Sequence, residues 1–176
     1  MSNDDYIIKP KHAWIFGDHV NTDLIVPSEY LTENDPDIIV KHAFEGINPD
    51  FSKKVDNGDI IVAGRNFGCG SSREEAVFVI KELGISAVIA ESFARIYFRN
   101  LINQGIPAIT LKNATQIFGN MTKITINISD GIINCIDLNT RKRTTLKFKP
   151  LPEFIMKIIE AGGALNLIKT KVKEKI

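Results

Sequence analysis

The sequence predicts an α/β fold with a central βαβαβ unit, followed by additional C-terminal strands and a helix. Three apolar runs with the length of buried strands begin at Asp59, Ile85 and Ile106. Two amphipathic stretches with the 3.6-residue period of a helix separate these runs. Because two strand–helix–strand crossovers follow each other, we expect the three strands to be parallel.

The two helices of this unit are defined by apolar spacing and by their terminal residues. In the first, apolar residues recur at i, i+3, i+4 and i+7, and Gly84 stands where the helix would end. Ser92 is the predicted N-cap of the second helix, and Gly105 is its predicted terminator. The first face comprises Ala76, Val79, Ile80 and Leu83, and the second comprises Phe93, Ile96, Tyr97, Leu101 and Gln104.

The remaining segments complete a single domain, which we expect to span residues 1–176. A strand from His12 to Phe16 and a short helix near Val40 to Phe44 precede the central unit. Pro152 opens a last helix that ends at Gly162-Gly163, and the lysine-rich tail from Lys169 is expected to fray. Three segments between them are predicted strands: Ile124–Ile128, Ile132–Leu138 and Thr144–Phe148.

Composition argues against several classes of protein. The 22 Lys and Arg residues balance 21 Asp and Glu residues, so no basic excess indicates nucleic-acid binding. A hydrophobic fraction of 44% and a charged fraction of 24% are typical of a globular chain. Two cysteines give no disulfide framework, and neither a secretion segment nor a bilayer-spanning run is seen. We therefore expect a cytoplasmic protein.

The glycine-rich segment Gly68–Arg73 follows the first apolar run and precedes the first predicted helix. Glycines let a backbone approach a ligand closely, and the first N–H groups of a helix are free to bind an anion. Ser71 and Ser72 are each followed three residues later by glutamate, as in a capping box, so at least one hydroxyl is expected to cap the helix. We expect the other serine and Arg73 to bind a carboxylate or phosphate.

Other interpretations of this segment remain open. It lacks the third glycine of a dinucleotide-binding motif, although Glu91 stands where a ribose-binding acid is expected, so an NAD-binding domain is one alternative. The absence of Gly-Lys-Ser/Thr excludes a P-loop. A helix terminus would also suffice for a noncatalytic anion-binding module. Cys69 could also be a nucleophile that one of the three histidines activates, but no local nucleophile signature supports this alternative.

The chain contains three ordered blocks that are more specific together than any one alone. They are Gly64–Glu74, Ser92–Tyr97 with Arg99-Asn100, and Phe16–Asp23 with Pro27 and Tyr30-Leu31. Together these blocks resemble the small subunits of 3-isopropylmalate dehydratases and the swivelling fourth domain of aconitases. The resemblance covers residues 11–111 by motif and the rest by length and pattern. It implies a swivelling β/β/α domain.

The resemblance also implies a reaction and the residues that perform it. In this family the first serine of a Ser-Ser-Arg triplet abstracts a proton from carbon and the arginine grips a substrate carboxylate, which matches Ser71 and Arg73. Ser72 is expected to help hold the substrate. The implied enzyme is a hydro-lyase that interconverts 2-isopropylmalate and 3-isopropylmalate in leucine, hence branched-chain amino acid, biosynthesis. A further substrate arginine of aconitases has three possible counterparts here: Arg65, Arg95 and Arg99.

A [4Fe-4S] cluster is implied as well, and the cysteine count assigns it to another chain. A cubane with one open iron still needs three thiolates, whereas this sequence has only Cys69 and Cys135. We therefore expect this chain to bind no metal, and we expect a heteromer in which a large subunit carries the cluster. The small subunit would be active only with that partner, on a small 2-hydroxy dicarboxylate.

Substrate choice is expected to depend on the loop after Asp23. The resemblance implies that Thr22 and Asp23 approach the active cleft, where we expect them to contact the substrate or to orient an arginine. It also implies that residues around Leu31 face the variable side of the substrate. Thr32 carries no positive charge to pair with an extra carboxylate, so an isopropyl group fits better than a homoaconitate-like acid. Homoaconitase and a citraconate or 2-methylmalate hydratase remain alternatives, because a few methylenes change binding by only about 1–3 kcal/mol.

Overall fold

The computed structural model describes residues 6–33, 35–119 and 122–173. These residues form a seven-stranded sheet in the order β4-β3-β2-β1-β5-β6-β7. The predicted α/β class is confirmed, whereas the extent of a single domain over residues 1–176 stays a prediction. The strands are β1 (Ile7–Ile15), β2 (Ile60–Ala63), β3 (Ala87–Ala90), β4 (Ala108–Thr110), β5 (Thr122–Asn127), β6 (Ile132–Asp137) and β7 (Arg143–Lys147).

Helices fill the connections of the parallel strands and follow the last strand. A single 3-10 turn, Ser28–Tyr30, interrupts the first long loop. Within the described ranges, no helix is long and apolar enough to cross a membrane. The helices are α1 (Thr22–Ile25), α2 (Pro36–Lys41), α3 (Phe51–Lys54), α4 (Glu75–Glu82), α5 (Arg95–Asn103), α6 (Ala114–Ile117), α7 (Glu153–Glu160) and α8 (Ala164–Lys173).

The predicted βαβαβ unit is β2-α4-β3-α5-β4, and its strands are parallel as expected. Every residue of β2 and β3 is buried, because helices and strands cover both faces of a parallel sheet. Alternate residues of β2 therefore enter two different cores. Ile61 and Ala63 pack with the buried faces of α4 and α5. Ile60 and Val62 pack with the apolar face of the antiparallel strands.

Strand β1 joins the parallel and antiparallel parts of the sheet. Its C-terminal half, Ala13–Ile15, pairs parallel with β2, whereas its N-terminal half pairs antiparallel with β5. The register shifts between Ile8 and Lys11, where three steps on β1 oppose two on β5. Pro10 lies in this bulge, a position that tolerates a residue without an N–H donor. The carboxyl ends of β1, β2 and β3 consequently meet at one edge.

Three local predictions were wrong. The helix expected near Val40–Phe44 is instead Pro36–Lys41, because Asp35 caps it by accepting a hydrogen bond from the Asp37 N–H at 3.0 Å. The tail expected to fray from Lys169 continues as α8 to Lys173, since a turn at Gly162-Gly163 lets α8 pack against α5 and α7. Ser92 does not cap α5, whose N-cap is Ala94.

Candidate active site

The Ser-Ser-Arg segment lies ahead of α4 and is not part of the helix terminus. Helix α4 begins at Glu75, its N-cap is Glu74, and no side chain caps it. The prediction that Ser71 or Ser72 caps this helix was therefore wrong. Both serines are exposed, and both are free to act on a ligand.

A cavity of about 380 Å³ opens beside these serines. It is bounded by the loop after β2, by α1 and by the first turn of α5. Four of the seven sequence-predicted site residues line it, namely Thr22, Ser71, Ser72 and Arg73. The other wall residues are Gly68, Gly70, Ala94, Arg95, Ile96, Tyr97 and Asn100.

The helix N-terminus on the cavity wall belongs to α5 and not to α4, where the sequence predicts it. Arg95, Ile96 and Tyr97 form its first turn on the cavity wall, and no side chain caps them. The first N–H groups of a helix lack acceptors within the helix and carry the positive end of its dipole. A bound anion in this cavity would therefore lie close to these donors as well as to Arg73.

Arg73 is held by residues of the first loop. Its Nη2 lies 2.6 Å from the Asp23 carboxylate, and both terminal nitrogens lie 3.4 Å from the Ser28 hydroxyl. The Ser28 hydroxyl in turn donates to Asp23 at 2.9 Å. A guanidinium has five donors, so donors remain for a substrate carboxylate. Asp23 thus belongs to the site through Arg73, although it does not line the cavity.

Gly68 and Tyr97 form the base of the cavity. Gly68 has a φ of +73°, and a Cβ on it would lie 2.1 Å from Cγ of Tyr97. The buried Tyr97 hydroxyl donates to the Ala76 carbonyl of α4 at 2.8 Å. Burial raises the pKa of Tyr97 above its ordinary value, so the phenol stays neutral. This ring locks α5 to α4 beneath the glycine turn.

Leu31 and Thr32 are not brought to the cavity wall. Leu31 is half-buried against the core, whereas Thr32 is exposed. The preceding Tyr30 stacks on His42 with ring centroids 3.9 Å apart, and Glu45 accepts from His42 Nδ1 at 2.6 Å. Burial and the Glu45 carboxylate raise the pKa of Tyr30 to about 12. The loop is therefore fixed, and the substrate contacts of Leu31 and Thr32 stay predictions.

Two polar turn residues before α1, Asp18 and Asn21, have structural roles. Asn21 caps α1 by accepting from the Leu24 N–H at 2.8 Å. Asp18 accepts from the Arg65 backbone N–H at 2.7 Å and from its Nε at 2.9 Å. Arg65 is thereby engaged by Asp18, and it does not line the cavity. Of the three candidate further arginines, Arg95 does.

The two cysteines lie far apart, one in the loop after β2 and the other on β6. Cys69 is half-buried beside the cavity, whereas Cys135 is buried on β6 and its thiol donates to the Thr144 carbonyl at 3.4 Å. Burial raises the pKa of Cys135. Among the described residues, no three His, Cys, Asp or Glu side chains are grouped to hold a metal ion. This part of the chain does not fit the ligand set of an iron–sulfur cubane.

Comparisons with known proteins identify the family of this chain. The Aconitase C-terminal domain family matches residues 21–114. The 3-isopropylmalate dehydratase small subunit 1 of Methanopyrus kandleri is 46% identical over 157 residues, which are 89% of this chain and 90% of that one. The chain belongs to the family of 3-isopropylmalate dehydratase small subunits.

Other members of this small-subunit family resemble the chain over nearly its whole length. The isopropylmalate/citramalate isomerase small subunit of Methanocaldococcus jannaschii is 46% identical, across 96% of this chain and 97% of that one. The crystal structure of 3-isopropylmalate dehydratase from the same organism superposes with a TM-score of 0.84 at 41% identity. It covers 96% of this chain and 97% of its own. The fold expected for a small subunit of this family is confirmed.

The residues of α5 on the cavity wall belong to a block that the sequence also links to the small-subunit pattern, but apart from Arg95 none of them was expected to line the site. Ala94–Tyr97 and Asn100 line the cavity, next to a bridge between Phe67 and Phe93 that joins the loops after β2 and β3. In that bridge the Phe67 N–H donates to the Ser92 carbonyl at 3.0 Å. A signal was available, since residues after neighbouring parallel strands share one edge of the sheet.

Proposed function

We propose that this chain is the small subunit of a hydro-lyase that interconverts 2-isopropylmalate and 3-isopropylmalate. Dehydration removes a proton and a hydroxyl group from adjacent carbons and gives an alkene and water. Water then adds back in the opposite orientation, so the hydroxyl group moves by one carbon. The observation that carries this proposal is the cavity that joins Ser71, Ser72 and Arg73 with the first turn of α5.

Ser71 is the proposed base, and Arg73 the proposed carboxylate ligand. The exposed Ser71 hydroxyl can reach a bound substrate without breaking a helix cap. The Arg73 side chain is only 20% exposed and is oriented by Asp23. A guanidinium of fixed orientation suits a carboxylate because its fork binds both oxygens. Ser72, on the same wall, is proposed to donate to the substrate.

A serine hydroxyl is a weak base unless its alkoxide is stabilised. A helix dipole contributes at most about 2 kcal/mol, and one pKa unit corresponds to about 1.4 kcal/mol. At about 2 kcal/mol, the first turn of α5 lowers the pKa of a nearby hydroxyl by only about one to two units. Arg73 and exclusion of water by a docked partner are proposed to supply the rest, because preorganised electrostatics strengthen in a dry site.

The active enzyme is proposed to be a heteromer. The cavity is open to solvent on this chain, and the relatives are named small subunits. The implied [4Fe-4S] cluster does not fit the described residues of this chain, so we assign it to a large subunit. The cytoplasm is the proposed location of that complex.

A methyl-bearing substrate is a second candidate, since one 46% identical relative is named an isopropylmalate/citramalate isomerase small subunit. The exposed Thr32 and half-buried Leu31 offer no cation for a third carboxylate, which disfavours a homoaconitate-like acid. We propose that these two residues face the alkyl group once the partner docks.

Reconstitution tests the proposal against its alternatives. The chain would be combined anaerobically with a cluster-bearing large subunit, and hydration and dehydration rates compared for isopropylmalate, citramalate and homoaconitate. We expect isopropylmalate to give the highest kcat/KM and either subunit alone to be inactive. Activity of this chain alone would contradict the heteromer. Anion binding without turnover in the assembled complex would favour a noncatalytic module, and NAD affinity that depends on Glu91 would favour a dinucleotide domain.

A further inference from the structure

We propose that Thr22 and Asp23 are positioning residues that hold the Ser71–Arg73 segment from the side, and that neither is a primary substrate ligand. This inference rests on the proposed function, because it assigns how the catalytic serine and the carboxylate-binding arginine are kept in place. Of the two roles expected for these residues, substrate contact and orientation of an arginine, it selects the second and adds a hold on the backbone of Ser71.

The segment that carries the active serine has no regular structure of its own. Helix α4 begins only at Glu75, and the two preceding glycines, Gly68 and Gly70, have φ values of +73° and +99°. Glycine-rich backbone is intrinsically mobile, because glycine has the largest choice of conformations. Its geometry must therefore be fixed by contacts from another part of the chain.

Residues from the loop after β1 supply those contacts through a short parallel bridge. The Gly68 N–H donates to the Val20 carbonyl at 2.8 Å, and the Thr22 N–H donates to the Cys69 carbonyl at 2.8 Å. The Thr22 hydroxyl then donates to the carbonyl of Ser71 at 3.0 Å. Three hydrogen bonds thus hold the backbone of this segment, at Gly68, Cys69 and Ser71.

Thr22 is well suited to position the Ser71 segment and poorly suited to bind the substrate. Only 1% of its surface is exposed, and its hydroxyl hydrogen is already donated to Ser71. Gly70 packs so closely that a Cβ on it would lie 3.1 Å from the Thr22 hydroxyl oxygen. The Asn21 cap fixes the start of α1, so this hydroxyl is presented from a rigid turn.

Asp23 completes the clamp at the other end of the segment. Its carboxylate binds Arg73 at 2.6 Å and also accepts from Ser28. A carboxylate in contact with a dicarboxylate substrate would repel it, whereas the same carboxylate beside Arg73 orients the guanidinium. Consecutive residues of one turn therefore hold the serine backbone and the arginine side chain.

The test for Thr22 compares Thr22→Val, which removes the hydroxyl at nearly constant shape, with Thr22→Ser, which keeps it. In the assembled enzyme we expect Thr22→Val to lower kcat by about 10- to 100-fold with little change in KM, and Thr22→Ser to restore kcat. Thr122→Val is the matched control, because Thr122 is another buried threonine whose hydroxyl bonds a backbone group, at the Gly119 N–H. It should leave kcat and KM unchanged.

A second readout does not need activity. Amide hydrogen exchange over residues 69–73 of the free chain should accelerate in Thr22→Val and not in Thr122→Val. A raised KM with unchanged kcat would show that Thr22 binds substrate directly and would overturn the inference. Unchanged exchange and unchanged kcat would overturn it as well.

Asp23 is tested independently, so a folding failure of Thr22→Val does not close the question. Asp23→Asn should raise KM because Arg73 loses its fixed orientation, and this effect should shrink in an Arg73→Lys background. An equal effect in both backgrounds would show that Asp23 acts on the substrate itself. Ser71→Ala in the same complex separates the two claims, because full activity there refutes the proposed function whatever Thr22 does.

Discussion

Gly68→Ala offers a stringent test of how the active-site turn is packed. The new Cβ would lie 2.1 Å from Cγ and 2.2 Å from Cδ1 of Tyr97, distances that require one group to move. Tyr97 cannot swing away freely, because its ring is buried and its hydroxyl is bonded to Ala76. The φ of +73° adds a separate conformational penalty for any residue with a Cβ.

Two estimates give the size of the effect. A left-handed backbone conformation costs a non-glycine residue about 1–2 kcal/mol, and an extra methyl group in a well-packed core costs about 1–3 kcal/mol. Their sum predicts that Gly68→Ala lowers the free energy of unfolding by about 2–5 kcal/mol. That is a large part of the ~5–15 kcal/mol that stabilises a typical domain.

Urea unfolding of the full chain, followed by fluorescence of its single tryptophan, measures this loss. Gly17→Ala is the matched control, because Gly17 is a loop glycine at the same edge of the sheet with no neighbour within 4 Å of its would-be Cβ. Its unfolding free energy should change by less than about 0.5 kcal/mol. If Gly68→Ala were as mild as this control, the packing of Tyr97 against the glycine turn would be refuted.

Two further predictions concern the frame around the site. Phe51→Ala should lower the free energy of unfolding by about 3–5 kcal/mol in the same assay, because Phe51 is fully buried against Trp14 and Phe16. A loss below about 1 kcal/mol would contradict the described core. Hydrogen bonds from Arg65 hold the pKa of Asp18 below its ordinary value. The pair therefore stabilises the fold at pH values above the unfolded pKa of Asp18. This stabilisation is lost as the pH falls through the lower pKa of the folded state. Asp18→Asn should therefore be less stable than the parent at neutral pH and nearly equal to it in strong acid; an equal difference at both pH values would contradict the pairing.

The strands of the βαβαβ centre could be predicted from sequence because a strand buried on both faces is a continuous run of apolar residues. Runs such as Ile60–Ala63 and Ala87–Ala90 are continuously apolar, and the helices between them show one apolar face. Such patterns depend on the residue itself and little on partners far along the chain. The start of α4 was misjudged because a capping box is a local signal. Here the helix starts only at Glu75, and long-range contacts from Thr22 and Asp23 hold the Ser-Ser-Arg segment instead.

The candidate site was predicted in part, through its family pattern. Ser71, Ser72, Arg73, Thr22 and Asp23 could be named, but the contacts that join them could not. The bond from the Thr22 hydroxyl to Ser71 spans 49 positions, and the Asp23–Arg73 ion pair joins the same two loops. The contribution of Ala94–Tyr97 depends on the bridge between Phe67 and Phe93. The order of parallel strands predicts which loops meet at one edge, but no local pattern encodes which side chains then form these contacts.

The most direct test of the central claim is the turnover rate of Ser71→Ala in the reconstituted two-subunit enzyme. Removal of a proton-abstracting group should reduce kcat by about 10²–10⁴-fold, while affinity for the large subunit stays at the parental value because Ser71 caps no helix. Ser86→Ala is a suitable control, since the Ser86 hydroxyl bonds the Gly58 carbonyl at 2.6 Å at the other end of β3, and its activity should match the parent. A Ser71→Ala complex that turns over at the parental rate would contradict the account.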